Sequence, residues 1–225
     1  MKKISISGSS SQVIDCAPLI EAVDLGLSVK WANANLEADT PEQYGGYYAW
    51  GETEAKSYYS WSTYKWCKGT HKTLTKYCCD EKYGTFDRKT WWLDVDDDAA
   101  HIKLGGKWRI PNRENWSELR HDCIWTWTNL NGVDGYLVTS KIPGFTDKSI
   151  FLPAAGYYNK TGRYNSNPSG GYYWSSSLRT DSSTDSSAEA RELFFQKTST
   201  GDLNKVMGIG AYNRCTGFPI RAVAD

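Results

Sequence analysis

From residue 123 to its end the chain alternates short apolar or aromatic runs with clusters of Gly, Asn, Asp and Ser, and this pattern constrains the fold most. Runs at 124–128, 135–140, 149–157, 171–177, 191–198 and 218–223 have the length and boundaries of strands. Before them, two helices are readable. Asp96-Asp97-Asp98 places carboxylates at the positive end of a short helix that Gly105-Gly106 stops. Asn112, after Pro111, is a candidate N-cap for a second helix carrying Trp116, Leu119 and Cys123 on one face. The expected class is therefore α+β.

Residues 1–20 read as an N-terminal extension or linker, and 21–225 as one domain. Ala22 to Trp31 reads as short strands around a glycine turn, and Tyr44 to Glu52 is an aromatic and glycine segment. The stretch from there to about residue 92 is too long for a bare connector and should carry short elements of its own.

The 26 basic and 26 acidic residues cancel, and no basic run is present, so neither nucleic acid nor an anionic membrane surface is an expected partner. No apolar stretch is long enough for a membrane-inserted helix, and no signal peptide is visible behind Met1-Lys2-Lys3. The aromatic residues are 11 Trp and 15 Tyr against 6 Phe, a balance of polar-tipped rings that suits half-wet recognition surfaces.

Sequence signatures of catalysis and metal binding fail one by one. The run Asp94-Val95-Asp96-Asp97-Asp98 begins like a calcium loop, but the sixth and twelfth places hold Ala99 and Gly105 where Gly and Glu are needed. The six cysteines lack the paired spacing of a zinc site, and His71, His101 and His121 belong to no metalloprotease pattern. There is no nucleophile elbow, P-loop or dinucleotide fingerprint. The expectation is a non-enzymatic chain with no metal and no cofactor. Its C-terminal third is where contact chemistry concentrates: 179–187 is small and polar, and 204–218 shows neither alternation nor helical period, the texture of an irregular contact surface. Tyr212 and Phe218, within that stretch, are expected to touch ligand. Trp31, Trp50, Trp108, Trp116 and Trp174 are expected in the core.

Several segments, in order, resemble one family: Ala22-Val23-Asp24-Leu25-Gly26-Leu27-Ser28-Val29-Lys30-Trp31, Tyr47-Tyr48-Ala49-Trp50-Gly51-Glu52, Gly105-Gly106-Lys107-Trp108-Arg109-Ile110-Pro111, Phe151-Leu152-Pro153-Ala154-Ala155-Gly156, Tyr173-Trp174-Ser175-Ser176-Ser177 and Gly217-Phe218-Pro219-Ile220-Arg221. Together they look like the Fibrobacter succinogenes major paralogous domain of gut Bacteroidales, and Trp108 to Trp116 also resembles a segment of formylglycine-generating-enzyme-like domains. The resemblance implies a C-type-lectin-like fold, with two helices packed on small twisted antiparallel sheets and long loops holding the ligand surface.

It also implies kinship with the variable proteins of diversity-generating retroelements, in which randomised adenines of AAC-type codons change residues on a binding face. The positions where such variation would fall are Arg179, Asp181, Ser183, Asp185, Gln196, Asn204, Val206, Gly208, Ala211, Tyr212, Cys215 and Thr216. Most of these types are reachable from AAC, although Gln196 is not. The implied function is receptor- or adhesin-type binding of a protein or glycan on another cell or host surface, with the chain at a cell surface or on a virion. The alternatives are a formylglycine-generating-type enzyme, which would need a second thiol beside Cys215, and a structural module of a larger surface assembly. The calcium-lectin signatures E-P-N, Q-P-D and W-N-D are absent.

Overall fold

Both helices begin where the sequence supplies a side-chain acceptor. In the computed structural model, which describes residues 20–87, 91–164, 170–180, 186–197 and 207–225, α1 spans Ala99–Leu104 and α2 spans Arg113–Asp122. The Asp98 carboxylate accepts the His101 N–H at 3.0 Å and the Ile110 N–H at 2.8 Å, and the chain leaves α1 through Gly105 at φ 68°. Asn112 and Asn115 cap α2 reciprocally, and Trp116, Leu119 and Cys123 are buried along one side. Two more carboxylates of the acidic run, those of Asp94 and Asp97, are paired with Lys76. Asp97 accepts from the Lys76 ammonium at 2.5 Å and the Tyr77 hydroxyl at 2.6 Å.

The strands are β1 (Ala22–Val23), β2 (Lys30–Ala32), β3 (Tyr47–Tyr48), β4 (Trp108–Arg109), β5 (Cys123–Leu130), β6 (Val133–Ser140) and β7 (Ser149–Pro153). They continue with β8 (Tyr157–Asn159), β9 (Gly162–Tyr164), β10 (Gly170–Leu178), β11 (Glu189–Gln196), β12 (Met207–Asn213), β13 (Phe218–Pro219) and β14 (Val223–Ala224). They form small sheets in the orders β1-β2-β14-β4, β5-β6-β7 and β10-β11-β12, plus the pairs β3-β13 and β8-β9, all antiparallel. This is an α+β fold. The segment from 53 to 92 does carry short elements, 3₁₀ turns at Trp61–Thr63 and Glu81–Tyr83.

The structure departs from the sequence reading in particular places. The stretch 204–218, read as irregular, contains β12, which pairs with β11 along its whole length from Phe195↔Met207 to Glu189↔Asn213. Two glycines weaken its local strand signal, and the partner strand supplies the order. The run 149–157 divides into β7 and β8 at Gly156, whose φ of 64° turns the chain. Trp108, expected in the core, is only half-buried.

The β10-β11-β12 sheet separates two cores. On one side Tyr173, Leu193, Phe195 and Met207 pack with Trp31, α2 and the β5-β6-β7 sheet. On the other, Trp174, Leu178 and Ala190 pack with Tyr48, Trp50, α1 and Phe218. Gly171 faces Phe195 so closely that a Cβ would sit 2.1 Å from its ring. Gly171→Ala is therefore expected to lower stability by about 1–3 kcal/mol, read as a shift in the urea midpoint, because the buried ring has nowhere to move.

A bulge in β10 organises the region around it. Pairing with β11 runs to Trp174↔Glu192 and resumes at Leu178↔Ala190, leaving Ser175 to Ser177 out of the ladder. Their neighbours take up the freed groups. The indole N–H of Trp116 donates to Trp174 O at 3.2 Å, and that of Trp50 donates to Ser175 O at 2.8 Å. The Leu93 N–H donates to Ser176 O at 3.0 Å, and Leu178 donates its N–H to Trp91 O at 2.7 Å. The run Tyr173-Trp174-Ser175-Ser176-Ser177 thus fixes α2, the 50s segment and residues 91–93 to one strand.

Candidate functional site: an aromatic face on the C-terminal sheet

Alternation along the three strands decides what shares a face. The cross-strand rows Tyr172–Phe194–Gly208, Trp174–Glu192–Gly210 and Leu178–Ala190–Tyr212 lie on one side of the β10-β11-β12 sheet. The β8-β9 hairpin adds Tyr157 and Tyr164, opposite one another in its register. Its position is set by paired backbone bonds between Tyr158 and Gly217, at 2.8 and 2.9 Å.

These rings converge. Tyr157 lies 4.9 Å from Tyr164, 5.0 Å from Tyr172 and 5.5 Å from Tyr212 between centroids, and the Tyr212 hydroxyl donates to that of Tyr157 at 3.2 Å. Beneath them Phe218 stacks on Trp174 at 4.2 Å and contacts Tyr172 and Tyr212. The rim is open to water: Tyr164 is 47% exposed, while Tyr172, Phe194 and Tyr212 are half-buried. Burial, then the bond from Tyr212, raises the Tyr157 phenol well above its ordinary value, so Tyr157 stays a neutral hydrogen-bonding group.

Gly208 and Gly210 give this face a flat floor. A Cβ on Gly208 would lie 3.0 Å from the Phe194 ring, and one on Gly210 would lie 2.5 Å from Glu192 Oε1, so both side chains rest across bare backbone. Glu192 is 3% exposed, and its Oε2 has no hydrogen-bond partner among the described residues. Burial first, and then repulsion from Glu189, pushes its carboxyl up to about 9. It is a neutral acid at pH 7.

The residues singled out from sequence are divided by this geometry. Gly208 and Tyr212 lie on the aromatic face, and Gln196 continues it at the end of β11, opposite Gly170. Ala211 points to the opposite side, opposite Arg191. Arg179 pairs with Glu189 at the end of β10. Cys215, Thr216 and Phe218, expected from sequence as ligand contacts, are buried. The chain turns inward after β12, so Cys215 packs among Ala49, Tyr59 and Tyr64, and β13 carries Phe218 beneath β10. Asp181, Ser183, Asp185, Asn204 and Val206 lie outside the described residues.

Sequence reasoning missed Tyr157, Tyr164, Tyr172, Phe194 and Glu192. The Gly-Gly-Tyr-Tyr string at 170–173 was a signal, since in a strand it sends one tyrosine to each face. Cys215 is held as a thiol, pushed up to about 12 by burial. No described helix is long and apolar enough to cross a membrane. No known protein family, curated protein or solved structure matches the chain.

Proposed function

We propose that this chain is a non-catalytic binding protein of receptor or adhesin type with a C-type-lectin-like fold, contacting a protein or glycan surface through the tyrosine-lined face of β10-β11-β12. The observation that carries this reading is the ring cluster of Tyr157, Tyr164, Tyr172 and Tyr212 around buried Phe218. Polar-tipped rings offer large contact area and hydrogen bonds with little entropy to lose, and here they stand on a sheet whose positions are set by two cores. The sequence resemblance to the variable proteins of retroelements supports the same face, because Gln196, Gly208 and Tyr212 fall on it. The formylglycine-generating alternative needs a second thiol beside Cys215, and Cys67 does pack in the same cluster; burial raises both thiols, however, and a protonated pair speaks against that chemistry. The natural setting of such a protein is a cell surface or virion.

The test is a screen of the chain against arrays of glycans and of host and bacterial surface proteins, run beside a Tyr164→Ser/Tyr212→Ser variant. The expected result is a hit that the wild type gives and the variant loses by at least about a hundredfold in Kd, as for removal of interface hot spots. Undiminished binding by the variant would refute this face. The gene gives a separate check on diversification. Codons ending in C at the candidate positions, with an A-rich template nearby, are expected; random third bases without a template would remove that part of the reading.

A further inference from the structure

Two indoles stand out on a different part of the surface. Trp91 is 52% exposed and Trp92 is 54% exposed, adjacent in sequence and large enough that such exposure is costly without a purpose. They are not on a free strand. Leu93 N–H bonds Ser176 O at 3.0 Å and Leu178 N–H bonds Trp91 O at 2.7 Å, so the segment is fastened to the β10 bulge as an added edge. The tyrosine face begins five residues back along β10 at Tyr172, roughly 16 Å away at the rise of an extended strand.

Trp92 is a wall shared by two cavities. One, of about 500 Å³, lies between Trp92 and Trp108 and is bordered by Asn112, Lys107 and the Arg109–Asp225 pair, bonded at 2.7 Å. The other, of about 220 Å³, lies against Trp91 and Trp92 and is bordered by Arg113, Glu114, Thr180 and Arg191. Each therefore combines flat indole surface with charges of both signs and neutral hydrogen-bonding groups. An anion would need donors alone, and Glu114 and Asp225 oppose it. A purely apolar ligand would leave the charged borders stripped of water without partners.

We propose that this cleft is a saccharide-binding site that takes at least two linked pyranose rings, one on each side of Trp92. A pyranose has a C–H face that lies on the negative face of an indole and a girdle of hydroxyls that both donate and accept. That matches the mixture found around both cavities, and the combined volume falls in the range of small-molecule sites. The inference stands apart from the tyrosine face and does not depend on it.

The test is affinity electrophoresis of the whole chain through gels containing lichenan, xylan, galactomannan or pullulan. Titration calorimetry follows, using the hexasaccharide and the monosaccharide of any polysaccharide that retards it. Retardation by at least one polymer is expected, with the hexasaccharide bound at least about tenfold more tightly than the monosaccharide. Trp92→Ala should weaken that binding at least about tenfold, and so should Arg113→Ala, whose exposed side chain can be cut without loss of core. Ile124→Ala, which truncates an exposed residue on β5 outside both cavities, should leave it unchanged. The absence of retardation in every gel, or retardation that Trp92→Ala leaves intact, would overturn the proposal. So would selection of unglycosylated peptides from a displayed library at a Trp92-dependent site that no oligosaccharide competes for.

Discussion

Arg221→Met is expected to cost about 3–5 kcal/mol, a large part of the stability of a domain this size, and to leave the protein poorly folded at 37 °C. The guanidinium is wholly buried, and no carboxylate among the described residues pairs with it. Its four bonds go to neutral oxygens: Asn35 Oδ1 at 3.0 Å, Ala32 O and Asn33 O at 3.0 Å, and Phe151 O at 2.8 Å. These acceptors come from β2, the turn that follows it and β7, so one side chain joins two sheets. Burial pulls Arg221 down to about 10, and it remains charged at neutral pH. Methionine fills part of the volume but leaves four oxygens without donors, each costing about 1–3 kcal/mol before relaxation. Lysine, a point donor without the planar fork, should recover only part of the loss. Urea unfolding measures this, and a midpoint unchanged in Arg221→Met would show that the oxygens find other donors.

The second large effect concerns pH. Glu192 carries a carboxyl raised from 4.5 to about 9, so the folded state holds its proton where the unfolded chain has released it. Below about pH 4.5 both states are protonated, and the group contributes no difference. As pH rises the folded state is penalised by about 1.4 kcal/mol per unit, until the folded carboxyl ionises near pH 9. Wild-type stability therefore declines between these limits. Glu192→Gln, close in shape and unable to ionise, should remove that decline. The variant is expected to match the wild type near pH 4.5 and to exceed it by on the order of 3 kcal/mol at pH 7. Parallel stability–pH curves for the two proteins would contradict the assignment of Glu192 as a buried neutral acid.

What the sequence makes legible here is what local chemistry determines. The carboxylates of Asp96-Asp97-Asp98 and the cap Asn112 are read from neighbouring residues, and the two helices begin at Asp98 and Asn112. The strand runs 124–128 and 135–140 are read in the same way, and the structure joins them as the β5-β6 pair across Asn131-Gly132. By contrast, β12 is a strand because β11 lies beside it, and Trp91–Leu93 is extended because the bulge in β10 offers Ser176 O and the Leu178 N–H. Each of these elements takes its order from the strand beside it and not from its own residues, so neither has a local signal.

The site divides along the same line. Tyr212 and Phe218 are both aromatic residues in a stretch of mixed chemistry, and composition cannot separate them. The difference is that β12 ends half-exposed, whereas β13 returns beneath β10 to pair with β3. Glu192 likewise looks like an ordinary surface carboxylate in Arg191-Glu192-Leu193. Only the alternation of β11, with Trp174 and Gly210 as its cross-strand neighbours, puts it inside.

Hydroxyl-radical footprinting of the chain, with and without the partner recovered from the array screen, tests the binding face most directly. Protection of Tyr164, Tyr172 and Tyr212, with buried Phe218 unchanged in both states, is the expected result. Full reactivity at Tyr164 and Tyr212 in the complex, with protection on another surface, would contradict it.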